Sequence, residues 1–433
     1  MRKFRVWAGL AAVWATAILA GCGGHGSSST ANVRLVNATL THASINLLAN
    51  SSTVVSGTAM NTVSGYSGVA TGSQTLQIND ATTNTVLATT IPSLASGAHY
   101  AVVAYESGGT LRTTVIQEDT AAPSSGTANL RIFNTATDAG AIDIYVTDPT
   151  TDLSTISSPT FTFSSSSSTQ ATGFLSLATA TGGTTYRVRV TGAGNKADMR
   201  LDIPSFSLTS GQNATVLLTP TIGGTLANGS VLVEQGSYSA FANTNVRIRV
   251  TAAVTAGASV TASAGGVTIA AGVVSPTVGA YTIAPSGATL NITVNGNSVA
   301  APSAASLVAG SDLTLLVYGP AGASTASLIA DDNHLPSVVS NFKIRLLNGL
   351  TGTATPLTLD ANFGVVASSV LPGTASAYAV VGASVATRLD VISPSSPNPL
   401  YSESNLNVPG NAVYTLFMLG DAGAPIHLLQ RDH

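Results

Sequence analysis

NVRLVNAT from Asn32, NLRIFNTA from Asn129, NVRIRVTA from Asn245 and FKIRLLNG from Phe342 are four versions of one opening phrase. Its arginine falls at 34, 131, 247 and 345. A second phrase follows in each unit: SLASGAHYAVVAY, SLTSGQNATVLLT, SLVAGSDLTLLVY and LNVPGNAVYTLFML, with its glycine at 97, 211, 310 and 410. A third closes the unit: TTVIQED, SVLVEQG, ASLIADD and HLLQRDH. Three landmarks in one order, four times over, predict tandem domains of about 100 residues.

Each unit reads as β. Short runs of Val, Ile, Leu, Thr and Tyr lie between clusters of Gly, Pro, Asn and Ser, as strands and turns require. Alternation with period 2 is plain in Tyr186-Arg187-Val188-Arg189-Val190. No stretch beyond the extreme N-terminus carries an apolar stripe of helical period. The expected fold class is all-β: a tandem array of about four Ig-like antiparallel β-sandwich domains after a signal peptide and a flexible tether. The expected repeats span residues 31–122, 127–238, 243–335 and 340–433. If the array were made of separate domains, it would unfold in several steps.

The first residues give an address. Arg2, Lys3 and Arg5 precede an apolar run from Val6 to Leu19, and Leu19-Ala20-Gly21-Cys22 follows. That is a three-part signal peptide over residues 1–21, too short to span a bilayer. Leu-Ala-Gly-Cys resembles the lipobox of bacterial lipoproteins, and Cys22 is the single cysteine of the chain. The resemblance implies cleavage between Gly21 and Cys22, acylation of Cys22 and a permanent membrane anchor. With Gly23 rather than Asp after the cysteine, it also implies the outer membrane. Residues 22–30 form the lipidated Cys and a Gly/Ser tether. Cleavage leaves 412 residues and moves the formal charge from -3 to -6. Both tryptophans, Trp7 and Trp14, go with the signal.

Composition closes off other classes. Only 8% of the 433 residues are charged, and the mean hydropathy is +0.35. The apolar share is Ala and Val dispersed among Ser, Thr and Gly, which excludes a polytopic helical membrane protein. A net negative charge argues against nucleic acid as a partner.

The repeat phrases resemble those of the bacterial domain of unknown function 4397, through VR[LV]VNA, IDIYV (Ile142 to Val146) and L-x-x-G-x-x-Y-x-V-V. Repeat 2 carries the front half best and repeat 1 the back half. Repeat 4 has Leu357-Thr358-Leu359-Asp360 in place of IDIYV, and repeat 3 departs most, with Arg249-Val250 where the others hold an apolar-Asn pair. The resemblance implies an envelope β-domain and no particular activity.

Candidate functional residues are few. The recurrent arginine reads either as a row of ligand-binding cations or as a strut paired with the acidic end of the closing strand, at Glu118, Glu234 or Asp331; repeat 4 offers Arg431 beside Asp432. Recurrence in register favours the strut. Asn37, Asn134 and Asn348 read as turn formers that bond their own backbone. Repeat 2 is about 17 residues longer than its neighbours between arginine and glycine, an insertion placed near 147–172, where Asp148 and Asp152 lack calcium-loop spacing. His25, His42, His99, His334, His427 and His433 occupy unlike places in the repeats, so no repeated metal site is expected. Nucleophile-elbow, phosphate-loop and zincin motifs do not occur, and no catalytic residue or cofactor is expected. Tyr66, Tyr145, Tyr238 and Tyr281 are the available sugar-stacking candidates. The expected role is a non-catalytic, lipid-anchored structural, adhesion or binding module, with an envelope or extracellular polymer as partner. The alternatives are a periplasm-facing glycan-binding lipoprotein and a hydrolase built on the repeat-2 insertion.

Overall fold

The computed structural model describes residues 29–107, 110–165, 169–255 and 257–433. The segment expected to be a signal peptide, residues 1–21, lies outside the described residues, as do Cys22, His25 and part of the Ser164–Ser168 run.

Every repeat is a two-sheet sandwich. In repeat 1 one sheet runs closing strand Thr110–Gln117, landmark strand His99–Ser107, opening strand Thr30–Asn37, with the short strands Thr62–Val63 and Ser67–Ala70 sharing the far edge. The facing sheet runs Ser52–Ala59, Ser44–Ala49, Leu76–Asp80, Val86–Thr90. The same order recurs around the opening strands Thr127–Asn134, Asn245–Val254 and Asn341–Thr351. The pairing is antiparallel except at one recurrent place. Opening and landmark strands run parallel in all four repeats, as in Leu35 opposite Val102 and Leu346 opposite Leu416.

A left-handed residue starts each parallel pair. Gly97, Gly211 and Gly310 have φ of 74°, 88° and 78°, and each donates its N–H to the first carbonyl of its opening strand. In repeat 4 that role passes to Asn411 (φ 52°), one residue beyond the glycine expected to hold it. Asparagine tolerates this conformation better than other side chains. Gly410 is kept for a different reason: a Cβ there would stand 2.4 Å from the Val339 carbonyl oxygen.

This register also corrects repeat 3. Counting from the residue that bonds the left-handed turn, Arg34, Arg131 and Arg345 sit four positions on, and so does Arg249, not Arg247. Arg249 faces Thr314 as Arg131 faces Thr215 and Arg345 faces Thr415. The apparent departure of repeat 3 was a slip of two residues, which keeps the same side chains on the same face of a strand.

Each sandwich has its own core. In repeat 1 Val33, Leu35, Ile45, Leu47, Ile78 and Val102 are all at most 1% exposed. The outer faces of the opening strands are buried as well. Val36, Val103 and Ile116 of repeat 1 pack with Leu217 and Leu232 of repeat 2, while Ala253 and Leu316 of repeat 3 pack with Leu347 and Phe417 of repeat 4. The repeats therefore pair through apolar faces rather than stand apart. Near-continuous runs such as LV and LL in the opening strands have this cause: both sides are covered.

Candidate functional site

The recurrent arginine is a strut, and its surroundings recur with it. Arg34 Nε donates to Glu118 Oε2 at 2.8 Å and its Nη2 to Oε1, so the pair is bidentate. Arg34 also reaches into repeat 2, donating to the carbonyls of Gly236 (2.7 Å) and Val233 (2.9 Å). Arg131 lies 3.7 Å from Glu234. In the second half the pairing crosses the boundary. Arg249 of repeat 3 meets Asp432 of repeat 4 at 2.5 Å, and Arg345 of repeat 4 meets Asp331 of repeat 3. Asp432 is thus the acid of repeat 4: alternation turns it inward and leaves Arg431 exposed, so repeat 4 fits the pairing after all. Burial opposes the charge of Arg249 and of Arg345, but nearby acidic and phenolic groups, Asp331 and Asp432 among them, outweigh it and hold both above the ordinary arginine value. Asp331 is held below the carboxylate range despite full burial, by Arg345 and Arg249.

One aromatic ring stacks on each of these arginines: Tyr66 on Arg34 (5.1 Å), Phe174 on Arg131 (4.8 Å), Tyr281 on Arg249 (4.5 Å) and Tyr378 on Arg345 (4.7 Å). Each immediately precedes the short strand on the far edge of its opening strand. Sequence reading missed this fourth landmark. The signal was present as a spacing of 32 residues from Arg34 to Tyr66 and from Arg249 to Tyr281.

Of the four tyrosines proposed as sugar platforms, Tyr66 and Tyr281 belong to these stacks and donate their hydroxyls to Glu118 and Asp331. Tyr145 is 3% exposed, and Tyr238 packs in the repeat 1–2 interface. Asn37, Asn134 and Asn348 each accept the backbone N–H two residues on, as expected of turn formers.

The extra length of repeat 2 is divided. Asn134 pairs with Gln170 where Asn37 pairs with Thr62, a separation of 36 residues against 25. The remainder lies outside the expected 147–172, in the hairpin of Thr184–Gly192 and Asn195–Leu208. Three repeats close their first inner hairpin with two residues: Asn50-Ser51, Gly265-Gly266 and Asn362-Phe363, all at positive φ. Repeat 2 replaces that turn with residues 148–160, in which Asp152 caps a short 3-10 turn through Ser154.

A cleft of about 820 Å³ lies where all four repeats meet the 3–4 linker. Its polar floor is Asp332, His334 and Lys343. Lys343 Nζ donates to Asp332 Oδ2 (2.5 Å), the Asp332 carbonyl (2.9 Å) and the His334 carbonyl (3.0 Å), so all three of its protons are used. His334 points Nδ1 at Asp332 Oδ1 (2.7 Å) and Nε2 at the Thr221 carbonyl (3.0 Å). Two acceptors demand two N–H groups, which makes it an imidazolium. Burial works against that charge, but Asp332 and Asp138 raise its pKa above the ordinary value. Asp138 itself is raised by burial, with Oδ1 accepting from the Leu335 N–H. These groups clasp repeat 2 onto the 3–4 pair.

The other histidines stay apart: His42 pairs with Asp80, His99 with Asp119, and His427 stacks on Tyr401 at 4.3 Å. Among the described residues no group of three or more His, Cys, Asp or Glu is placed to hold a metal. His433, against Arg247, Arg200 and Arg431, is held down to about 3, chiefly by burial.

Residues 31–145 match the sequence model of a family described as a domain of unknown function, DUF4397. The match takes in repeat 1 and continues through the opening strand of repeat 2 into Ile142–Thr147. Those are the halves in which the phrase resemblance is fullest. No curated protein matches the chain. Among solved structures, the product complex of SpuA, a multi-modular glycogen-degrading pneumococcal virulence factor, is similar over 86% of this chain and 37% of that one. Identity is 6% and the TM-score 0.17, so the chain spans little over a third of that protein and the likeness carries no argument.

Proposed function

We propose that the protein is a non-catalytic, lipid-anchored module of the cell envelope, presenting four welded β-sandwiches for structural or binding contact with envelope polymers. The observation that carries this reading is where its scarce charges go. Arg34, Arg249, Arg345 and Lys343 are buried, and each bonds across a repeat boundary or to the 3–4 linker. Chemistry on a substrate needs charged groups free to meet it; these are committed to holding the repeats in fixed relation. Fixed relation suits simultaneous engagement of a repetitive polymer by several surfaces. The lipobox pattern at Leu19 to Cys22 supplies the anchor.

The test is two-fold. Cells grown with labelled palmitate are expected to label the protein, and Cys22→Ala to release it from membranes; an unlabelled, still membrane-bound variant overturns the anchor. An epitope after His433 is then probed on intact cells with and without protease. Labelling of intact cells places the module outside, whereas labelling only after the outer membrane is breached places it in the periplasm and makes envelope glycans the first ligands to test.

A further inference from the structure

The closing strand of repeat 4, Ala424–Arg431, is a sheet edge: among the described residues no strand pairs with its outer side. In repeat 2 the corresponding side is taken by Tyr238–Phe241, which pairs antiparallel with Gly229–Leu232. This edge of the fold therefore accepts one more strand. In repeat 4 the two-residue turn Ala422-Gly423 makes Asp421 and Ala424 the bonded pair that closes the hairpin. Alternate residues beyond it bond the landmark strand, so Pro425, His427, Leu429 and Arg431 turn their backbone groups outward. Val233, which holds the place of Arg431 in repeat 2, turns its N–H outward in the same way, to the Ser237 carbonyl at 2.9 Å.

Side chains set this edge apart. Ile426 and Leu428 stand opposite Leu419 and Phe417, on the face that packs against repeat 3. At the same register, set by the landmark residue facing the recurrent arginine, the other closing strands carry Arg112 and Thr114, Asn228 and Ser230, and Thr325 and Ser327. Repeat 4 alone is apolar at both positions, and Ile426 is 49% and Leu428 41% exposed. The closing strand of repeat 3 lies beside Thr374–Ala375, at the opposite edge of this sheet, which leaves the Ile426 edge open. The apolar 3–4 interface thus continues onto an uncovered strand edge, where sheets ordinarily carry charge or polar residues.

The strand is also complementary to itself. Antiparallel pairing of two copies about His427 sets Ile426 opposite Leu428 of the second copy, and Leu428 opposite its Ile426, so each apolar pair covers the other. The two His427 backbones exchange N–H and C=O, and each Leu429 N–H meets the Pro425 carbonyl of the other copy. Pro425 has no N–H and forgoes one bond at each end. Arg431 falls opposite Gly423, clear of the second Arg431. A slip of two residues sets Leu428 against Gln430 in one direction and Pro425 against Pro425 in the other, so one register is favoured.

We infer that two copies of the chain form a closed two-fold dimer by antiparallel pairing of Ala424–Arg431 with its counterpart, which fuses two four-repeat arrays through one continuous sheet. This goes beyond the anchored-module reading and does not depend on it.

The test is the mass of the full-length protein in detergent micelles, by light scattering across a dilution series. A reversible dimer is expected, with nothing larger. Ile426→Thr/Leu428→Ser gives repeat 4 the pair that repeat 3 carries. Both side chains are exposed, so the variant is expected to fold and to raise the dissociation constant about ten-fold or more. A second measurement leaves the apolar pair intact. Paired residues about 5.5 Å apart at Cα suit a disulfide, so oxidation of His427→Cys in membranes is expected to give a covalent dimer. Thr325→Cys on the repeat-3 edge is expected to give none, as is the wild type with Cys22 alone. The inference is overturned by a protein that is monomeric throughout, by open assemblies larger than a dimer, or by a dimer that the double variant leaves equally tight. Failure of His427→Cys to cross-link, or equal cross-linking from Thr325→Cys, overturns it as well.

Discussion

The two junctions between paired repeats use one set of parts in two ways. Between repeats 1 and 2 each arginine is met by the glutamate of its own repeat, Glu118 or Glu234, and the boundary is crossed by Arg34 bonding two backbone carbonyls. Between repeats 3 and 4 the acids are aspartates and the pairing is exchanged, Arg249 with Asp432 and Arg345 with Asp331. Thr314 and Thr415 tie the exchange together, each accepting from an arginine and donating to an aspartate. A self-contained pair stabilises its own domain, whereas an exchanged pair stabilises the dimer of domains. The same phrase thus gives one junction joined by an apolar face and hydrogen bonds to backbone and side chains, and one joined by an apolar face and exchanged ion pairs.

The strongest way to break that contrast is to remove one acid from each side. Asp331→Ala strips Arg345, Tyr281 and Thr314 of a partner and leaves two fully buried guanidiniums short of charge. A cost of about 3–5 kcal/mol is expected, read as a fall in the denaturant midpoint shared by repeats 3 and 4. Glu118→Ala leaves Arg34 its two carbonyls, so a smaller loss of about 2–3 kcal/mol is expected, confined to repeat 1. Equal losses, or a loss confined to repeat 3 in Asp331→Ala, would refute the distinction between exchanged and self-contained pairs. Thr314→Ala sharpens it further. Repeat 1 already has Ala101 at this position, and there Arg34 turns its Nε to Glu118 instead. In repeat 3 the hydroxyl bridges Arg249 and Asp331, so its removal is expected to cost about 1–2 kcal/mol by equilibrium unfolding.

Much of this was legible beforehand. The repeats, the β class, the strut role of Arg34 with Glu118 and the turn role of Asn37 follow from phrases that recur in register. The exchanged pairs were not, because Arg249 and Asp432 are 183 positions apart and no local pattern ties them. The aromatic landmark was hidden by the choice of Arg247 as the repeat-3 arginine: in a strand, residues two apart share a face, so spacing alone cannot separate them. Measured from Arg249 the ring falls into step at once. The insertion in repeat 2 pushed Phe174 out of the same spacing.

The clasp between repeat 2 and the 3–4 pair supplies the smallest predicted effect and one with a sign. His334 has its pKa raised in the folded state, with Asp332, Asp138 and Lys343 around it and the Thr221 carbonyl at its second nitrogen. A raised value means that the folded protein binds the proton more tightly than the unfolded chain. Its stabilisation is then complete below the ordinary histidine value of 6.5 and drains away as the pH rises through the folded value. Unfolding followed from pH 6 to 9 is expected to show a modest decline in stability over that interval. His334→Gln, which keeps one donor and carries no charge, is expected to flatten it while lowering the pH 6 value slightly. A decline that persists unchanged in the variant would assign the pH dependence to another group and reduce the His334–Thr221 bond to a neutral contact.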